Sequence, residues 1–111
     1  MKYTKKENYT EITPTEATFS DFFEVFSNEF SNFKNEHLFL NFLNFSPVSI
    51  VELDKFSETS METKENGNSF ILIAEGIDID ELEDENLSVV PTLGEAEDTL
   101  EMDNIERDLL G

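Results

Sequence analysis

The 111-residue chain contains no cysteine, no tryptophan and a single histidine, and it has only seven basic residues. Without cysteine it can form neither a disulfide framework nor a thiolate metal site or nucleophile. It also lacks a glycine-rich phosphate loop and a cluster of bases that would clamp an anionic substrate. His37 opens an apolar run, and we expect it at a strand end rather than in catalysis. We therefore expect no enzyme, no cofactor and no metal site.

The charge of the chain is strongly one-sided, because 26 acidic residues stand against seven basic ones and give a net charge of −19. Proteins that bind DNA or RNA gain affinity from Lys and Arg side chains that displace counterions from phosphates. This chain is expected to be repelled by nucleic acid, and by anionic membranes for the same reason. A basic protein surface or a cation is compatible with its charge.

Segment 76–87 contains six acidic residues and no base, and we expect it to be a loop with at most one helical turn. Asp78 and Asp80 are two residues apart, as in the calcium loop of an EF-hand. Glu83, however, stands where that loop requires a glycine. We therefore treat Asp78, Asp80 and Glu81 as a candidate interaction surface and not as a metal site.

Long apolar runs are missing as well. The N-terminal residues 1–13 lack the apolar run of about 7–15 residues found in a secretory signal. No segment approaches the ~20 apolar residues that a membrane span requires. We expect a cytoplasmic protein with a single domain over residues 1–111.

What the sequence does contain is an alternation of strand and helix patterns. The predicted strands are two short ones in 2–13 and one each at 37–45, 69–75 and 88–91, and the predicted helices are 18–33, 46–67 and 92–111. Six Phe at helical spacing in 18–33 are expected to be core. In 46–67 the expected inward residues are Ile50, Leu53, Phe56 and Met61. The order predicts an α/β sandwich with a mixed, mostly parallel sheet of about 4–5 strands and about 3–4 helices.

The closing helix has apolar residues on two opposite sides. They are Leu93, Ala96 and Leu100 in its first half and Met102, Ile105 and Leu109 in its second half. At 100° per residue, each group lies within about 60°. This pattern predicts a bend near residues 101–104 with packing inside the chain. The alternative is that the second group meets the N-terminal strands, a second copy of the chain or another protein.

Two serines stand where an apolar strand passes into the helix 46–67. Ser46 precedes Pro47 as a candidate N-cap, and Ser49 with Glu52 fits a capping box. Backbone amides at such a junction also attract anions. Ser46 and Ser49 are therefore candidates for a phosphorylation site or a partner-binding turn as well as for capping.

The element order and the turn NFSPVSIVEL resemble the STAS domain, the fold of anti-anti-sigma factors and of the cytoplasmic part of sulfate transporters. The resemblance covers essentially the whole chain. In that family a phosphorylatable serine in an Asp-Ser-x-Gly context regulates binding to a kinase-type anti-sigma factor. Ser46 and Ser49 are the matching serines, but the Asp and Gly are missing. The resemblance implies a bacterial STAS-like module without an intact phosphoserine switch.

The end of the chain, VVPTLGEAEDTLEMDNIERDLLG, also resembles a small family of acidic proteins of similar length that are sometimes labelled ribonuclease Z. The chain lacks the His-rich metallo-β-lactamase motif of that tRNA-processing nuclease. The resemblance therefore implies an association with such an enzyme at most.

Together these observations predict a non-enzymatic, regulatory protein-interaction module. Its partner would be another protein, either a basic one or a kinase-type anti-sigma factor. The alternative is an acidic adaptor or structural protein that forms a homodimer or docks a basic partner, such as an RNA-processing enzyme, through its last helix. The candidate interaction residues are Asp78, Asp80, Glu81, Met102, Ile105 and Leu109.

Overall fold

The chain forms strands and helices in the order that its sequence predicts. The computed structural model describes residues 1–45 and 47–110. The strands are β1 (Lys2–Lys5), β2 (Thr10–Thr13), β3 (Leu38–Asn41), β4 (Phe70–Ile73) and β5 (Ser88–Val90). The helices are α1 (Phe19–Glu29), α2 (Ile50–Asp54), α3 (Ser57–Glu65) and α4 (Leu93–Leu110), and 3₁₀ turns lie at Phe30–Asn32 and Ile79–Glu81.

The strands form one sheet in the order β1-β2-β3-β4-β5, so that each strand lies beside the next one along the chain. β1 is antiparallel to β2, whereas β2, β3, β4 and β5 are parallel. Leu38 of β3 pairs with Phe70 of β4, which aligns the amino ends of the two central strands. The predicted α/β architecture with a mixed, mostly parallel sheet is confirmed.

One face of the sheet, here called the first face, is covered by α1, α2, α3 and the connection 76–87. Its strand residues include Ile12, Leu38, Leu40, Phe70 and Leu72. Crossovers between neighbouring parallel strands share one hand, so successive crossovers in a sheet of this order lie on one side. Phe19, Phe22 and Phe26 of α1 are buried there, and the Phe26 ring lies 5.7 Å from the buried Phe56 ring. Each buried Phe contributes about 1.5–3 kcal/mol. Of the six Phe residues expected in the core, Phe19, Phe22, Phe26 and Phe33 are buried, whereas Phe23 and Phe30 are half-buried and pack against it.

The opposite face, here called the second face, is covered by α4. The apolar residues in contact there are Phe39, Ile71, Ile73, Ala96 and Leu100. Towards β2 this face becomes polar, and Asn41 Nδ2 donates a hydrogen bond to Glu11 Oε2 at 2.9 Å. The apolar part of the second face is therefore narrow, and a single helix is enough to cover it.

The helix predicted for 46–67 begins later than expected. Ser49 is the N-cap of α2, because its hydroxyl accepts from the Glu52 amide while the Glu52 side chain accepts from the Ser49 amide. A complete capping box satisfies two amides at once. Pro47 consequently precedes the helix instead of opening it, and Ser46 lies outside the described residues.

The same predicted helix is divided in two at Lys55 and Phe56. Apolar residues recur every three positions here, at Ile50, Leu53 and Phe56, which suits the tighter 3₁₀ pattern better than the α-helix. The Phe56 amide accordingly donates to the Leu53 carbonyl three residues back, at 3.1 Å. This turn places Leu53 and Phe56 in the core, where both are fully buried.

The prediction that Met61 faces inward is wrong, because its side chain is 59% exposed. Ser60 and Thr63 are buried instead, since they follow Phe56 by four and seven residues and lie on the same helix face. Thr63 Oγ1 donates to the carbonyl of Thr59 at 2.9 Å, which satisfies the buried hydroxyl.

Candidate functional site

The closing helix α4 is continuous from Leu93 to Leu110, so the predicted bend near residues 101–104 is wrong. Its apolar second half does not pack inside the chain. The side chain of Met102 is 61% exposed, that of Ile105 is 50% exposed and that of Leu109 is 81% exposed. We call these three residues the outward stripe. It lies on the side of α4 opposite the buried residues of the first half.

The helix does not need to bend because its inward side continues with polar residues. Ala96 and Leu100 are buried against the sheet, and Asp103 and Arg107 are half-buried on the same side. The spacing of four, three and four residues keeps all of them on one helix face. That spacing is present in the sequence, but Asp103 and Arg107 are charged and therefore do not belong to the apolar pattern.

Asp103 and Arg107 meet at Ser69, directly before β4, and their contacts with it attach the second half of α4 to the sheet. Ser69 Oγ donates to Asp103 Oδ2 at 2.6 Å and accepts from Arg107 Nη2 at 2.7 Å. Arg107 Nη1 also donates to Asn104 Oδ1 at 2.9 Å. The Ser69 hydroxyl therefore acts as both donor and acceptor. We call Ser69, Asp103 and Arg107 the Ser69 cluster.

His37 lies beside this cluster, at the amino end of β3. Its Nδ1 accepts from the backbone amide of Ser69 at 3.0 Å, so that nitrogen carries no proton. Burial lowers the pKa of His37, the Arg107 guanidinium lowers it further, and Asp103 acts in the opposite direction. Because His37 bonds the Ser69 amide and not its hydroxyl, it is not placed to activate that hydroxyl as a nucleophile. The arrangement suits a structural role.

A groove of about 430 Å³ runs between α4 and the turn that joins β1 to β2. It is lined by Asn8, Tyr9, Glu97, Leu100, Glu101, Asn104, Ile105 and Asp108. Tyr9 stacks on Phe39, with ring centroids 3.9 Å apart, and its hydroxyl donates to Glu97 Oε2 at 3.0 Å. Burial and the neighbouring Glu97 raise the pKa of Tyr9 to about 12. The groove joins the outward stripe at Ile105.

Carboxylates surround the outward stripe. Helix α4 contains seven acidic residues and a single base, Arg107. Asp98, Glu101, Glu106 and Asp108 are exposed on the outward side and flanks of the helix, whereas Arg107 is turned towards Ser69. The surface that α4 presents to its surroundings is therefore both apolar and negatively charged.

The acidic candidates Asp78, Asp80 and Glu81 form a different surface. All three are exposed, and Asp78 Oδ1 accepts from the Asp80 amide at 3.0 Å in a 3₁₀ turn. The segment is attached to the first face through the buried Leu82 and Leu87. Among the described residues, no group of three or more His, Asp or Glu side chains is arranged to hold a metal ion. Leu82 and Leu87 pack on the first face, whereas α4, which carries the outward stripe, covers the second face.

The serine turn is only partly described, because Ser46 lies outside the described residues. Ser49 is exposed, and its hydroxyl accepts from the Glu52 amide at 3.1 Å. The cap therefore accounts for Ser49 in structural terms.

None of the helices in residues 1–45 and 47–110 combines the length and the apolar character needed to cross a bilayer.

No protein-family model matches the chain, and no curated protein matches its sequence.

Proposed function

We propose that this chain is a non-enzymatic protein-interaction module of the STAS type, and that it binds its partner through the outward face of α4. The observation that carries the proposal is the exposure of Met102, Ile105 and Leu109 in one stripe. Large apolar side chains grouped on a surface and rimmed by polar residues are typical of protein contact sites.

The support of the helix favours this role. The outward stripe belongs to a helix whose other side is held by Ala96, Leu100 and the Ser69 cluster. A partner therefore meets a preorganised surface and does not have to order the helix on binding, which lowers the entropic cost of association.

The STAS-type assignment draws support from the order of strands and helices along the chain, on which the resemblance to that family rests. Successive strands are neighbours in the sheet, and their crossovers lie on the first face. The missing Asp and Gly favour a module without a phosphoserine switch. Phosphate on Ser46 or Ser49 in protein isolated from its own cells would argue for the switch instead.

The test is a quantitative pull-down of the tagged full chain from its own cells, comparing Ile105→Arg with Met61→Arg. Both changes add the same charge at an exposed apolar position, but Met61 lies on α3. A true partner should be recovered at least about tenfold less with Ile105→Arg, a loss of about 1.4 kcal/mol in binding. Met61→Arg should leave its recovery unchanged.

Urea unfolding of both variants should show that the fold is retained, since both positions are exposed. Equal recovery of every bound protein with the two variants would refute the outward stripe as the contact surface.

A further inference from the structure

We infer that the occupant of the outward stripe is a basic amphipathic helix of a partner protein. This inference rests on the proposed function and specifies the chemistry of the partner. Three features of α4 lead to it, namely the spacing of the stripe, the sign of the surrounding charge and the groove beside Ile105.

The spacing of the stripe favours a helix as the occupant. Met102, Ile105 and Leu109 follow one another by three and four residues, the spacing of the apolar seam in paired helices. The stripe is about 10 Å long, because seven residues of helix rise about 1.5 Å each. A partner helix lying along this seam can place its own apolar residues between these side chains.

The surrounding charge selects a basic partner. Asp98, Glu101, Glu106 and Asp108 border the stripe and are exposed, and the single base of the helix is engaged by Ser69 and Asn104. Lys or Arg residues beside the apolar seam of the partner would meet these carboxylates. Such complementarity accelerates association and rejects partners of the wrong charge.

The same charges argue against a second copy of this chain. In a symmetric pair of α4 helices, each acidic border would face the acidic border of the other copy. Neither copy has an outward base on α4 to offset this repulsion. Two chains of net charge −19 also repel each other over the whole surface.

The groove beside the stripe adds a place for a basic side chain. Glu97, Glu101 and Asp108 line it together with Tyr9, whose hydroxyl donates to Glu97. Lys and Arg pack their aliphatic stems on apolar surface while the charged end reaches a carboxylate. Ile105, which lines the groove and is 50% exposed, supplies that apolar surface.

The experiment uses the full chain labelled with ¹⁵N and two synthetic helical peptides, each about 18 residues long, or five turns. Both carry the same leucine seam, but the remaining positions are Lys in one and Glu in the other. We expect the Lys peptide to bind and to shift the amide signals of 97–109 and of Asn8 and Tyr9. The Glu peptide should cause no shifts.

Two double variants separate a local contact from general attraction to an acidic protein. One double variant, Glu101→Gln with Asp108→Asn, removes two negative charges from α4. The other, Glu58→Gln with Glu62→Gln, removes two negative charges from the exposed side of α3. The first pair should weaken binding of the Lys peptide at least about tenfold more than the second pair. Ile105→Arg should abolish the shifts.

The inference is overturned if both double variants weaken binding equally, if the shifts centre on 76–87, or if the Glu peptide binds as well. Concentration-dependent dimerisation of the free chain that Ile105→Arg removes would identify a second copy as the occupant. If Ile105→Arg still abolishes capture of the cellular partner while these charge tests fail, the proposed function stands and only the basic helix is wrong.

Discussion

The backbone and side chain of Ser69 make four hydrogen bonds at a position that is 1% exposed. Its amide donates to His37 Nδ1, its carbonyl accepts from the Leu38 amide, and its hydroxyl bonds both Asp103 and Arg107. At the scale of single residues, this serine connects β3, β4 and α4. Removing one partner leaves another polar group buried and unpaired, at a cost of about 1–3 kcal/mol.

His37 makes this connection sensitive to pH. The imidazole must be neutral at Nδ1 to accept from the Ser69 amide, and its pKa is lowered in the folded chain by burial and by Arg107. The unfolded chain therefore binds more protons in the interval below pH ~6.5. We predict that the stabilising contribution of His37 is fully present above that pH and is lost as the pH falls through the lowered pKa.

The measurement is the free energy of unfolding in urea for the wild type and for His37→Asn between pH 7.5 and 5, a range from about 1 unit above to about 1.5 units below the usual His pKa. The Asn amide oxygen replaces Nδ1 as an acceptor and does not titrate. The other acids and bases are common to both proteins, so the difference between their unfolding free energies isolates His37. The wild type should lose stability relative to the variant as the pH falls. A difference that is independent of pH would contradict the prediction.

At the scale of elements, both edges of the sheet are protected against pairing with another strand. β1 is exposed along its length and carries Lys2 and Lys5, which discourage edge-to-edge contact. β5 has three residues and is followed by Pro91, which has no amide to donate. The Leu87 amide before β5 is already bonded to the Asp84 carbonyl at 3.2 Å. The outward stripe of α4 is therefore a better docking surface for a partner than either edge of the sheet.

The boundaries of α2 show which local signals decide where a helix begins. Both Ser46-Pro47 and Ser49-Glu52 are start signals in the sequence, and the complete capping box at Ser49 defines the helix. We predict that Ser49→Ala lowers the free energy of unfolding by about 1 kcal/mol, because it leaves the Glu52 amide without its acceptor.

Urea unfolding at neutral pH measures this effect. Ser49→Asp should keep most of the stability, since Asp is an equally good N-cap. Ser27→Ala is the matched control, because Ser27 is exposed inside α1 and Ala favours helix there. A Ser49→Ala protein as stable as the wild type would show that this cap contributes nothing measurable.

The elements were predictable because their signals are local, whereas the attachment of α4 was not. The Phe spacing of α1 and the apolar runs of β3 and β4 are each contained in a short segment of consecutive residues. The contact of Ser69 with Asp103 joins residues 34 positions apart. The sequence shows that α4 has apolar residues on two sides. Which side of its second half faces the sheet depends on the contacts of Asp103 and Arg107 with Ser69, and these contacts exist only in the folded chain. Hydrogen bonds between distant side chains have no periodicity from which to infer them.

At the scale of the whole molecule, the net charge of −19 lies on a chain with a radius of gyration of only 13.2 Å. The range of electrostatic interaction is about 30 Å at 0.01 M salt and about 3 Å at 1 M. At low salt nearly all charges therefore act on one another, and repulsion dominates because 26 acidic residues face seven basic ones. Folding brings these charges together, so repulsion opposes it.

We therefore predict that NaCl stabilises the protein between about 0.01 and 1 M. Screening also weakens attractive pairs, such as the exposed Lys5 with Glu36 at 3.7 Å, but exposed pairs contribute little. Thermal unfolding across this range measures the effect, and a gain of about 1 kcal/mol would raise the Tm by about 4–8 °C. Glu58→Gln with Glu62→Gln should raise the Tm at low salt and reduce its dependence on NaCl. A Tm that falls with NaCl would mean that attractive pairs outweigh the repulsion.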